Sequence, residues 1–154
     1  MRTKSILMAL VVCFVGATIA LAADPFIGTW KLNAAKSKVS SSGPNNTTVV
    51  YEAAGDSIKI TTDGTDAQGK PAHSEWTGKF DGKDYPVSGD PNADARAYKK
   101  ANAHTLTFEN KKDGKVGLNG RITISADGKT RTVHLSGTGA DGKKFSSTAV
   151  YDKQ

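Results

Sequence analysis

Three histidines, a group of aspartates and a handful of aromatic residues carry the chemistry this chain can offer. His73, His104 and His134 fall on three different predicted strands. His73 and His134 also lie on polar faces, so no shared metal site is expected from their spacing. Asp81, Asp84, Asp90 and Asp94 gather around the loop through Gly89 and Pro91, which would suit calcium only with a loop spacing that is absent here. Aspartates at turns are explained by local hydrogen bonding to the backbone. No Gly-x-Ser-x-Gly, His-Glu-x-x-His or pair of carboxylates along one strand is present, so no catalytic residue is assigned and the chain is read as a non-enzyme. Nor does any motif call for a metal or a cofactor.

The aromatics are the stronger candidates. Trp76, Phe80, Phe108, Phe145 and Tyr151 could form the wall of a ligand cavity. The plainer alternative is that they fill a core, since inward-pointing aromatics bury large area wherever they stand.

These side chains must be held by β-strands. Apolar residues alternate with polar ones over most of the chain after residue 27. Ala72, Ser74, Trp76, Gly78 and Phe80 share one face, with His73, Glu75, Thr77 and Lys79 opposite. Leu106 and Phe108 alternate with threonines and Glu109, and Val133 and Leu135 flank His134. Phe145, Ser147, Ala149 and Tyr151 share a face. This is the period of antiparallel strands with one wet side. Turn signals punctuate it at Gly55-Asp56, Asp63-Gly64, Asp81-Gly82, Asp113-Gly114, Asp127-Gly128 and Asp141-Gly142.

The pattern predicts strands over 28–33, 47–53, 57–63, 72–80, 83–87, 94–100, 104–110, 115–125, 130–137 and 143–152, with one helical turn at 34–36. Such a meander removes its two exposed edges by closing on itself. The expected fold is therefore all-β, an antiparallel meander closing into an 8–10-stranded up-and-down barrel. Small residues such as Ala72, Ser74 and Gly78 would leave space inside it.

The N-terminus carries a different signal. Arg2 and Lys4 precede an apolar run from Ile6 to Val15, and Ala20-Leu21-Ala22 follows. That is a secretory signal peptide over 1–22, leaving a single domain over 23–154 in the periplasm or outside the cell. The apolar run is shorter than the roughly 20 residues of a spanning helix, so no membrane insertion is expected after cleavage. Cys13 and both methionines lie in this leader, so the mature chain has no thiol and no disulfide. Losing Arg2 and Lys4 lowers the formal charge from +6 to +4. That charge is spread thinly, without the basic stripe of a nucleic-acid binder. The mature protein is expected to be monomeric, with a small apolar molecule as its partner.

Phe26-x-Gly28-Thr29-Trp30-Lys31-Leu32 resembles the opening of the calycins, the superfamily of lipocalins and fatty-acid-binding proteins. The resemblance implies that Trp30 plugs one end of a barrel. Val150-Tyr151-Asp152-Lys153 is similar to the last strand of the fatty-acid-binding proteins. Residues 28–38, 81–89 and 125–130 resemble recurring pieces of a family of exported bacterial proteins that brings no activity with it.

The departures are informative. Fatty-acid-binding proteins hold a carboxylate with Arg-x-Tyr on the last strand, where this chain has Ala149 before Tyr151. Fatty acids are accordingly expected to bind less well than neutral ligands. Residues 33–46 are too few for the two lid helices of that family. Lipocalins stack an arginine on the plug tryptophan, and here Lys153 stands in that place. The resulting functional reading is an exported calycin-like barrel that binds a small apolar or amphipathic ligand. The alternative is a ligand-free interaction module or envelope accessory protein, such as a protease-inhibitor-like barrel.

Overall fold

A computed structural model describes residues 24–66, 68–139 and 142–154. The signal peptide expected over 1–22 lies outside the described residues. Ten strands follow one another: β1 (Gly28–Leu32), β2 (Asn45–Ala54), β3 (Ser57–Thr65), β4 (Pro71–Gly78), β5 (Asp81–Ser88), β6 (Ala95–Asn102), β7 (Thr105–Lys112), β8 (Lys115–Ile124), β9 (Thr130–Thr138) and β10 (Lys144–Lys153). Each pairs antiparallel with its chain neighbour, and β1 pairs with β10 to close the barrel. The fold is the all-β up-and-down barrel that the alternation predicted, with ten strands. Its only described helical element is a single 3-10 turn at Ala34–Lys36, capped by Asn33.

Turn chemistry follows the glycines. At Asp113-Gly114 both central residues take positive φ, 49° and 74°, as a type I′ hairpin demands. At Gly55-Asp56 only the leading glycine does, the requirement of type II′. Asp63-Gly64 is different and corrects the sequence reading. It lies inside β3, where Gly64 pairs with Ala72. A Cβ there would run into the Asn45 carbonyl, so the glycine admits the bulge that β2 makes between Asn46 and Thr48. The turn comes later: Asp66 Oδ1 accepts from the backbone N–H of Gln68 and of Lys70, each at 2.9 Å. Asp81-Gly82 likewise opens β5 instead of preceding it.

One end of the barrel is closed. Trp30 is fully buried, and its Nε1 donates to the Phe26 carbonyl at 2.9 Å. Lys153 Nζ lies 5.1 Å from the centre of the Trp30 ring. Phe26 packs edge-on against Phe80 and Trp76 stacks on Phe80, with ring centres 5.9 and 6.3 Å apart. Tyr98 meets Trp76 edge-on at 4.8 Å. These rings supply most of the bulk at this end, and aromatic pairs of such geometry add about 0.5–1.5 kcal/mol each beyond burial.

Candidate ligand cavity

Inward-facing residues change character along the barrel axis. Near the plug they are large rings. Toward the other end they become smaller and sparser, and a cavity of about 390 Å³ remains, reaching the loops of that end. Its walls include Phe108, Ile122, Val133, Leu135 and Phe145. The mouth is formed by Gly43 and Pro44, Asp66 and Gln68, and Asp90 to Asn92. The Gly43 backbone rests on the Phe145 ring, where a Cβ would come within 2.6 Å.

Of the five aromatics singled out in the sequence, Phe108, Phe145 and Tyr151 line this cavity. Trp76 and Phe80 stand outside the lining, in the aromatic cluster of the closed end. Trp76 is buried, and its Nε1 donates to the Arg96 carbonyl at 2.9 Å. Parity of position had placed both rings inside the barrel correctly; it carried no information about height along the axis.

Two arginines face inward beside them, and neither was singled out in the sequence. Arg96 is buried on β6 near the mouth. Its Nε donates to Asn110 Oδ1 at 2.6 Å, and Nη2 to Asp90 Oδ2 at 3.2 Å. Its charge is therefore answered within the protein.

Arg131 is not answered in this way. It lies on β9 directly opposite Tyr151 of β10, two residues from the Lys153 that covers the plug. That puts it on the cavity floor, 5% exposed. Its guanidinium carbon sits 4.7 Å from the centre of the Tyr151 ring and 5.5 Å from that of Tyr51. Nη2 donates to the Tyr51 hydroxyl at 3.1 Å. Nε and Nη1 have no hydrogen-bond partner in the protein.

No described carboxylate lies within ion-pairing distance of Arg131. The two phenols cannot supply a negative charge at neutral pH. Burial pushes Tyr51 up to about 12, against the pull of Arg131, and burial raises Tyr151 as well. Arginine itself keeps its proton in proteins. The barrel floor thus holds one uncompensated buried cation, a costly arrangement that interactions with ring faces relieve only in part. The Tyr151 hydroxyl donates to the Asn46 carbonyl at 2.9 Å, so the protein already uses it.

The remaining polar groups do little at this cavity. Thr62 and Ser74 hydrogen-bond to each other at 2.6 Å, satisfying both in the wall. Among the described residues no three His, Cys, Asp or Glu side chains gather to hold a metal. His73 instead pairs with Asp63 at 2.6 Å on the outer surface, and His134 with Thr148 at 3.0 Å.

No family model matches the chain, and no curated protein matches it in sequence. Solved structures do. The chain is similar to EF1p2_mFAP2b bound to DFHBI, with a TM-score of 0.51 and 14% identity over 86% of this chain and 97% of that one. It is also similar to a redesigned beta barrel, mFAP1, bound to DFHBI, with a TM-score of 0.47 and 18% identity over 86% and 98%. At 14% identity the likeness to EF1p2_mFAP2b is one of fold alone.

Proposed function

We propose that this protein is an exported, monomeric, calycin-like binder of a small, partly apolar molecule, with no catalytic step. One observation carries the reading. The barrel is plugged at one end and holds at the other a cavity of about 390 Å³ with mostly apolar walls. Ligand sites of small molecules span roughly 300–1,000 Å³ and combine apolar lining with a few placed polar groups. A barrel filled by its own side chains would have no such space. EF1p2_mFAP2b, built on the same plan, is bound to DFHBI, which supports small-molecule binding by a barrel of this size.

The protease-inhibitor alternative needs a free N-terminal arm to insert into an enzyme. Phe26 is fully buried in the plug, and Asp24 pairs with Lys100 at 3.0 Å, so this stretch is tied down. Binding in the cavity is the better-supported reading.

The test uses a neutral apolar dye such as Nile red. The mature protein should bind it saturably with about one site per chain. Val133→Trp and, separately, Leu135→Trp place an indole in the cavity and should weaken binding at least about tenfold. Either overpacked barrel should lose only about 1–3 kcal/mol of stability. Absence of saturable binding, or unchanged binding by a folded variant, would overturn the proposal.

A further inference from the structure

Arg131 gives the cavity a chemical preference. We infer that the ligand is a small monoanionic amphiphile of the carboxylate class, bound head-inward, with its anionic group on Arg131 and its apolar body toward the mouth. This rests on the reading of the barrel as a small-molecule binder and adds the charge and orientation of what it holds.

Three observations converge on it. Arg131 is almost wholly buried, lines the cavity floor, and keeps Nε and Nη1 free of protein partners. Charge-assisted bonds from a guanidinium to a carboxylate are about twice as strong as neutral ones, and a low-dielectric floor strengthens them further. The opposite end of the cavity disfavours an anion. Asp66 and Asp90 contribute to the mouth, and the cation there, Arg96, is already held by Asp90 and Asn110. Between the two ends stand Phe108, Ile122, Val133 and Leu135, which suit a hydrocarbon or aromatic body. A single cation matches a single negative charge; a dianion would bring surplus charge into the barrel.

Ala149 removes the cation from one strand, and Arg131 supplies it from the next, opposite the same Tyr151. An acid preference runs opposite to the expectation drawn from Ala149, that an acid binds less well than a neutral ligand, and the two are separated by the titration below.

The experiment titrates the mature protein at neutral pH with three probes that share one chain: octanoate, octanol and octylammonium. The wild type should bind octanoate at least about tenfold tighter than octanol, the strength of one charge-assisted hydrogen bond, with octylammonium weakest. Arg131→Met should bring the acid-to-alcohol ratio to about one while octanol still binds. Arg121→Met, on the exposed outer wall, should leave the order intact and so separates the floor cation from general surface charge. Equal binding of all three probes to the wild type would overturn the inference and leave the binding cavity standing. So would an acid preference that survives Arg131→Met. Binding of none of the three would remove the inference together with the function beneath it.

Discussion

Arg131 and Tyr151 stand opposite each other on β9 and β10, with the guanidinium carbon 4.7 Å from the centre of the phenol ring. Tyr51 completes the enclosure from β2 through its hydroxyl. Two neutral phenols therefore shield a cation without neutralising it. The arrangement holds the charge in place and leaves two of its three nitrogens, Nε and Nη1, without a hydrogen-bond partner in the protein.

High pH should reveal this enclosure. Tyr51 ionises near pH 12 in the fold, against about 10 in an unfolded chain. The native state thus holds its proton longer than the unfolded state does. Stability is unaffected below pH 10 and falls as pH rises from 10 through about 12, by about 2–3 kcal/mol from this group. Tyr151 shifts in the same direction through its own burial. Urea unfolding at several alkaline pH values, with phenolate absorbance followed in parallel, should show late ionisation coinciding with loss of structure. Ionisation of every tyrosine near pH 10 in a still-folded protein would contradict the burial.

The plug gives a second prediction. Trp30→Ala should destabilise by about 3–5 kcal/mol, the range for deleting a large buried aromatic. Lys153→Ala should cost less than about 1 kcal/mol, because its ammonium meets the ring from an exposed position. Denaturant midpoints at constant slope measure both. A loss below about 1 kcal/mol for Trp30→Ala would mean that the indole does not close the barrel.

Processing is a third. In the proposed leader the small residues Ala20 and Ala22 match a signal-peptidase site, so exported material should begin at Ala23. Intact mass of protein recovered outside the cytoplasm reads this directly. Retention of residues 1–22 in a membrane fraction would overturn this reading.

Most of the fold was legible because the alternation and the turn residues agree. Asp113-Gly114 and Gly55-Asp56 marked hairpins for a physical reason, since positive φ is required there and is found. Asp63-Gly64 misled because a glycine can serve close backbone approach as well as a turn, and only the pairing of β2 with β3 distinguishes the two. The cavity floor was hidden for another reason. Arg131 shares the parity of Val133 and Leu135, and Arg96 that of Tyr98, so both were readable as inward-facing. A charged residue is ordinarily assigned to the wet face, and following the parity two residues further along each strand would have exposed the conflict. Trp76 shows the complementary limit. Its ring extends toward the plug because Gly78 leaves it room: a Cβ there would come within 2.7 Å of the indole. Height along a barrel is set by register and closure, which no single strand contains.

The most direct test of the account is the side-chain Nε–H resonance of Arg131 in a nitrogen–proton correlation spectrum, assigned by its loss in Arg131→Met. On titration with octanoate this resonance should shift saturably, together with the backbone signals of Val133 and Leu135, while those of the outer wall around Arg121 stay still. A spectrum in which Arg131 is unmoved at saturating octanoate, or in which only surface signals respond, would contradict the central claim.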